Sequence, residues 1–101
     1  MPCKQISAEL AEELLENVNI QCIDIRDPQA YQQQHLPKAK NVCIHDLAEF
    51  VTNADPKLPT LVYCYKGISS QQAAKLLLER GFAEVYSLRG GFEAWRKFCS
   101  N

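Results

Sequence analysis

The run Leu61-Val62-Tyr63-Cys64 ends an apolar stretch on a thiol, and Tyr65-Lys66-Gly67-Ile68-Ser69-Ser70 follows before a helical pattern begins. A cysteine at the carboxyl end of a strand, just before a helix, is placed for chemistry. Backbone N–H groups of such a loop and of the first helical turn have no intrahelical partner. They carry partial positive charge and favour a thiolate over a thiol. Gly67 permits the unusual backbone needed to curl a short loop around sulfur. Lys66 adds a full positive charge, and Ser69 and Ser70 offer hydroxyl donors or a helix cap. Residues 64–70 are therefore the candidate site, with Cys64 as nucleophile and Tyr65, Lys66, Gly67, Ile68, Ser69 and Ser70 as the anion-binding loop.

The alternative for a strand cysteine is a small buried hydrophobe. That reading is given to Cys22 and Cys43, each beside isoleucine or valine, while Cys3 and Cys99 lie near the ends of the chain. Five cysteines are an odd number, and no two have a CxxC spacing. Free thiols are expected rather than a disulfide framework or a zinc site. His35 and His45 share no ligand spacing with a cysteine pair.

The elements that must position Cys64 alternate. Ser7 can cap a helix with Leu10, Leu14 and Val18 on one face. Residues 20–25 read as a strand, and Asp27-Pro28 opens a short helix through Gln34. Residues 41–44 read as a weak strand, and Asp46 can cap a helix over 47–51. The strongest strand is 60–63. After the loop, Ser69 or Ser70 is expected to cap a helix with Ala73, Ala74, Leu77 and Leu78 on one face, ended by Gly81. Residues 85–88 form another strand, and Gly90-Gly91 turns into a last helix, 92–98. This alternation implies a mainly parallel α/β sheet covered on both faces, in which chemistry gathers beyond the carboxyl ends of strands.

Length and composition agree. The chain has 101 residues, 47% apolar content and a net charge of −1. One domain, 1–101, is expected. No basic surplus suggests nucleic acid, no apolar stretch could span a bilayer, and the first residues lack the apolar core of a signal peptide. A monomeric cytoplasmic protein is expected.

Several segments together resemble the rhodanese-like sulfurtransferases, and within them the small single-domain thiosulfate sulfurtransferases of the GlpE type. Ile23-Asp24-Ile25-Arg26-Asp27 is similar to the family's early Asp-x-Arg strand end. His35-Leu36-Pro37-Lys38-Ala39 is similar to its His-apolar-Pro-Gly-Ala segment. Residues 61–70 resemble its strand and active loop, and Gly90-Gly91-Phe92-Glu93-Ala94-Trp95 its closing Gly-Gly-aromatic-x-x-Trp signature. The resemblance implies a rhodanese fold, a mostly parallel five-stranded sheet flanked by helices on both faces. It also implies that Cys64 takes the outer sulfur of thiosulfate or another persulfide donor and passes it to cyanide or a thiol, including a protein thiol. No metal or organic cofactor is implied. Gln34 and Lys38 stand where many members have glycine, so the chain path around His35 is expected to differ slightly. The loop has no arginine and leaves Lys66 as its one cation, so modest affinity for thiosulfate is expected.

Asp24 and Arg26 are read as a structural ion pair or hydrogen-bonded strand end, His35 as a turn-fixing residue, and Phe92 and Trp95 as core. Two other functions compete with sulfur transfer by an enzyme. A partner-binding persulfide carrier would keep Cys64. A cysteine-loop phosphatase or arsenate reductase would need a longer loop ending in an arginine, and Ser70 stands at that place.

Overall fold

The computed structural model describes residues 3–100. Five strands alternate with helices in the order β1 (Lys4–Ile6), α1 (Ala8–Asn17), β2 (Gln21–Asp24), α2 (Pro28–Gln33), β3 (Ala39–Asn41), a 3-10 turn (Ile44–Asp46), α3 (Leu47–Asn53), β4 (Thr60–Tyr63), α4 (Ser69–Glu79), β5 (Val85–Leu88) and α5 (Gly91–Cys99). The strands form one sheet in the order β1-β5-β4-β2-β3. Every pairing is parallel, so "mainly parallel" becomes wholly parallel. No helix of the described residues is long and apolar enough to cross a membrane.

The side-chain period of two splits the core across the sheet. Leu61 and Tyr63 of β4 join Cys22, Leu36, Leu88, Phe92 and Trp95 on the face covered by α1 and α5. Val62 joins Ile23, Val85, Leu47 and the α4 residues Ala73, Ala74 and Leu77 on the other. β4 is central, and all four of its residues are buried. That explains why it reads as a continuous apolar run ending at Cys64.

Several expectations about elements are corrected. The strand β1 has no strong sequence pattern: three residues, two of them exposed, are recruited by pairing with β5. On α1, Ser7 caps as expected by accepting from the Leu10 N–H, but the buried residues are Ala8, Ala11 and Leu15. Leu10 and Val18 are exposed, while Leu14 of the expected face packs partly against the core. The expected strand at 41–44 lies two residues earlier, and Ile44 already begins the 3-10 turn. Cys43 is consequently exposed, not a buried strand residue.

Asp27 does cap α2, accepting from the Ala30 N–H, with Pro28 at the first position. Gly81 ends α4 at φ +94 as expected, with its own N–H on the Leu78 carbonyl and the Phe82 N–H on that of Leu77. At Lys38 the chain takes a glycine-like path, at φ +67. A non-glycine residue pays about 1–2 kcal/mol for that conformation.

Candidate active site

The last residue of β4 hands directly to Cys64, whose Sγ sits at the amino end of α4. The Gly67 N–H donates to Sγ at 3.2 Å and the Ser70 N–H at 3.3 Å. The Ser70 hydroxyl lies 3.5 Å from the same sulfur. Neither serine is the helix cap. The residue at the cap position is Ile68, which has no capping side chain, and both serines lie inside the first turn. Sγ itself takes the place of a capping oxygen, because it accepts from the second helical residue just as a capping serine or aspartate would.

Two glycine contacts and two backbone hydrogen bonds hold the loop in this shape. Gly67 has φ +87, and a Cβ there would meet the Gly90 nitrogen at 2.9 Å and the Leu88 oxygen at 3.0 Å. Gly91 has φ +60, and a Cβ there would strike the Cys64 and Tyr65 oxygens at 2.6 Å. This close approach lets the Phe92 N–H donate to the Cys64 carbonyl at 2.8 Å and the Glu93 N–H to the Tyr65 carbonyl at 3.1 Å. The amino end of α5 thus claims the loop carbonyls, while the loop N–H groups face the sulfur. Gln71 completes the loop, its Nε2 donating to the Gly67 carbonyl at 2.7 Å. The Gly90-Gly91 pair, expected as a turn, is therefore also the docking surface for the active loop.

These contacts set the ionisation of Cys64. Burial alone raises a thiol pKa. The Ser70 hydroxyl and the amides of Ser70, Gly67 and Lys66 outweigh it and hold Cys64 below its ordinary value. Cys64 is 6% exposed, yet a cavity of about 270 Å³ lies beside it, lined by Cys64, Tyr65, Lys66, Ile68 and Ser69. The structure therefore brings the seven candidate residues into one place with different parts to play. Gly67 and Ser70 face the sulfur from within. Tyr65, Lys66, Ile68 and Ser69 form the wall, where Ile68 is 70% exposed.

Beside this loop, the end of β2 carries a buried charged network. Arg26 donates to Asp24 through Nε and Nη2, the latter at 2.7 Å, and its own N–H reaches Asp24 Oδ1 at 2.8 Å. Asp24 Oδ2 also accepts from the Tyr63 hydroxyl at 2.6 Å. Burial and Asp24 push the Tyr63 pKa upward, so that hydroxyl remains a donor. The Arg26 guanidinium lies 4.0 Å from the Phe92 ring centroid and also donates to the Gln34 carbonyl at 2.6 Å. The network pins Tyr63, the residue before Cys64, to β2 and stacks against α5. The ion pair expected from sequence is present. His35 keeps a local place, with Nδ1 2.9 Å from the Leu36 carbonyl and its ring stacked on Tyr31.

Sequence reasoning missed Ser87. It is wholly buried in β5, and its Oγ lies 2.8 Å from Ser70 Oγ. The available signal was a small polar residue within the otherwise apolar strand Val85-Tyr86-Ser87-Leu88.

Comparison with known proteins agrees with this geometry. Residues 7–98 match the Rhodanese-like domain family. The chain is 48% identical over 93 residues to the thiosulfate sulfurtransferase GlpE of Pseudomonas putida, covering 92% of this chain and 84% of that one. It is 47% identical over 96 residues to the protein of the same name from Coxiella burnetii, covering 95% and 90%. Among solved structures, the rhodanese-like domain of an Anabaena protein superimposes with a TM-score of 0.84 at 27% identity, covering 93% of this chain and 74% of that one. A rhodanese-related protein of Thermoplasma volcanium reaches the same TM-score of 0.84 at 21% identity, covering 94% and 92%. With that match over most of its length, a wholly parallel five-stranded sheet and a cysteine cradled at the end of the central strand, the chain belongs to the rhodanese-like domain family.

Proposed function

We propose that the protein is a sulfurtransferase that carries sulfane sulfur on Cys64. The observation that supports this most is the sulfur's own environment: two backbone N–H groups at 3.2 and 3.3 Å beside a cavity. The names of the GlpE relatives make thiosulfate the donor to test first.

In the first step the Cys64 thiolate attacks the outer sulfur of thiosulfate. A new S–S bond forms, the old one breaks, and its electron pair leaves with sulfite. The persulfide keeps one negative charge, now on the outer sulfur, within reach of the same cavity. In the second step cyanide or a thiolate attacks that outer sulfur. The electron pair of the S–S bond returns to Sγ, and thiocyanate or a new persulfide departs. Oriented amides stabilise the anion before and after each step at no reorganisation cost. Lys66 is placed at the cavity wall to attract the dianionic donor.

Phosphoryl chemistry fits the site poorly. That reaction spreads charge over three equatorial oxygens and relies on a positioned clamp such as a bidentate arginine. Here Gly67 and Ser70 close on a single atom, and the clamp position is filled by buried Ser70. A protein thiol as acceptor, the carrier form of the same chemistry, is favoured by Tyr65 and Ile68, which are 46% and 70% exposed at the cavity wall.

Incubation with thiosulfate should give a species heavier by one sulfur atom. Peptide mapping should place it on Cys64, cyanide should remove it, and an aryl phosphate should not be turned over. No added sulfur, together with Cys64-dependent phosphate hydrolysis, would overturn the assignment. Comparing glutathione persulfide with thiosulfate as donor, and a small with a protein thiol as acceptor, would separate the carrier form from a thiosulfate enzyme.

A further inference from the structure

Ser70 and Ser87 are both wholly buried, on α4 and β5 respectively, and their hydroxyl oxygens are 2.8 Å apart. Ser70 Oγ also reaches Cys64 Sγ at 3.5 Å, a hydrogen-bond distance for sulfur. Among the described residues, Ser87 Oγ has one hydrogen-bond partner, Ser70 Oγ. A hydroxyl has a single proton to give, and a buried one left without an acceptor is costly. Only one direction of the chain satisfies both groups. If Ser70 donates to Ser87, the Ser87 proton has no acceptor and the sulfur loses a donor. If Ser87 donates to Ser70, the Ser70 proton is released toward sulfur.

We propose that Ser87 is a positioning residue for Cys64: its hydroxyl donates to Ser70 Oγ and thereby fixes the Ser70 hydroxyl as a donor to Sγ. This rests on the reading of Cys64 as the reactive sulfur. A protonated Cys64 that donated to Ser70 would reverse the chain and strand the Ser87 proton in the core. The pair therefore makes the sulfur an acceptor by default, in agreement with the contribution of the Ser70 hydroxyl to the lowered thiol pKa. Ser87 faces this site because β5 lies beside β4, where it pairs with Val62, two residues before the nucleophile.

The charged groups on the surrounding elements are Lys66 of the loop, Arg26 (paired with Asp24) and Asp27 after β2, Lys75 and Glu79 of α4, Glu84 before and Arg89 after β5, and Glu93, Arg96 and Lys97 of α5. Of these, Lys66 alone lines the cavity. None is altered by a serine substitution, so their influence cancels in a comparison of variants.

The test is the pH dependence of Cys64 alkylation by iodoacetamide, followed on the Cys64 peptide, in the full chain and in Ser70→Ala, Ser87→Ala and the double variant. Loss of a hydrogen bond to an anion should raise the Ser70→Ala midpoint by about one pH unit. Ser87→Ala should raise it by roughly 0.1–0.3 unit, the share of that bond that a second hydroxyl supplies by polarising the first. In the Ser70→Ala background, Ser87→Ala should add nothing, because Ser87 acts through Ser70. Ser87→Cys keeps the volume with a weaker donor, serves if the alanine variant does not fold, and should give a smaller upward shift. An unchanged midpoint in the single Ser87 variants would overturn the proposal. So would an equal shift with and without the Ser70 hydroxyl, which marks a packing effect. Alkylation needs no sulfur donor, so this result stands apart from failure of the persulfide experiment.

Discussion

Cys22 and Cys64 lie on or just beyond neighbouring strands and are almost equally hidden, at 4% and 6% exposure. Their chemistry is opposite. Cys22 is inside β2, where burial and then the negative charge of Asp24 push its pKa well above that of an ordinary thiol. Cys64 is one residue past β4, and the hydroxyl and amides around it reverse the same burial penalty. Solvent exposure therefore does not separate the two thiols. The decisive variable is whether backbone donors are free to face the sulfur, and they are free at a strand end while those of a paired strand are committed to the ladder. The same carboxyl end of the sheet shows two ways of holding a negative charge. Asp24 is neutralised by a full countercharge and stays fixed. At Cys64 the donors to the sulfur are neutral dipoles, which favour the thiolate without a fixed countercharge.

The largest effect should come from exchanging the two cysteines' fates. Cys64→Ala should abolish sulfur transfer while keeping a cooperative thermal transition, whereas Cys22→Ala should keep transfer and lose about 1–2 kcal/mol of stability to the cavity left behind. Transfer surviving in Cys64→Ala would break the comparison outright. Next in size is the countercharge. Arg26→Met leaves Asp24 buried without its partner and should cost about 3–5 kcal/mol in urea unfolding. A loss below about 1 kcal/mol would mean that Asp24 finds water or a proton without penalty.

The two thiols should also separate in pH. Cys64 should alkylate with a midpoint below the ordinary thiol value of about 8.5, and its reactivity should disappear as pH falls through that midpoint and the thiolate is protonated. Cys22 should stay unlabelled in the native protein throughout that range. Similar midpoints for both would show that the amide cradle has no electrostatic consequence. The smallest effect belongs to Lys66, an exposed charge. Lys66→Ala should raise the KM for thiosulfate by roughly 1.5- to 5-fold with less change in kcat, and the difference should shrink as salt is added. An unchanged KM at low salt would assign donor binding to the backbone alone.

Much of this contrast was legible in the residues, because it depends on local rules. An apolar run, a cysteine, a glycine and a helical repeat in that order define a strand end and a helix start. The Asp27-Pro28 start of α2 and the Gly81 end of α4 were equally local. What escaped was set by partners distant in sequence. β1 exists because β5 accepts it, some eighty residues away in register, Lys4 opposite Tyr86. Cys43 is exposed because the chain turns at Ile44, where valine and isoleucine suggested a longer strand. Serine at 69 or 70 looked like a cap because the sulfur's claim on that position cannot be seen without the loop geometry. Ser87 could not be linked to Ser70 before the two strands and the helix were assembled.

The hydrogen bonds from Phe92 and Glu93 to the carbonyls of Cys64 and Tyr65 have a consequence for biosynthesis. During translation the nucleophile emerges well before α5, and α5 is the element that turns the loop carbonyls aside. Domains generally fold as units once their parts are available. A nascent chain that still lacks residues 90–93 lacks the N–H groups that hold the Cys64 and Tyr65 carbonyls, so the loop takes its observed shape only when α5 docks against it.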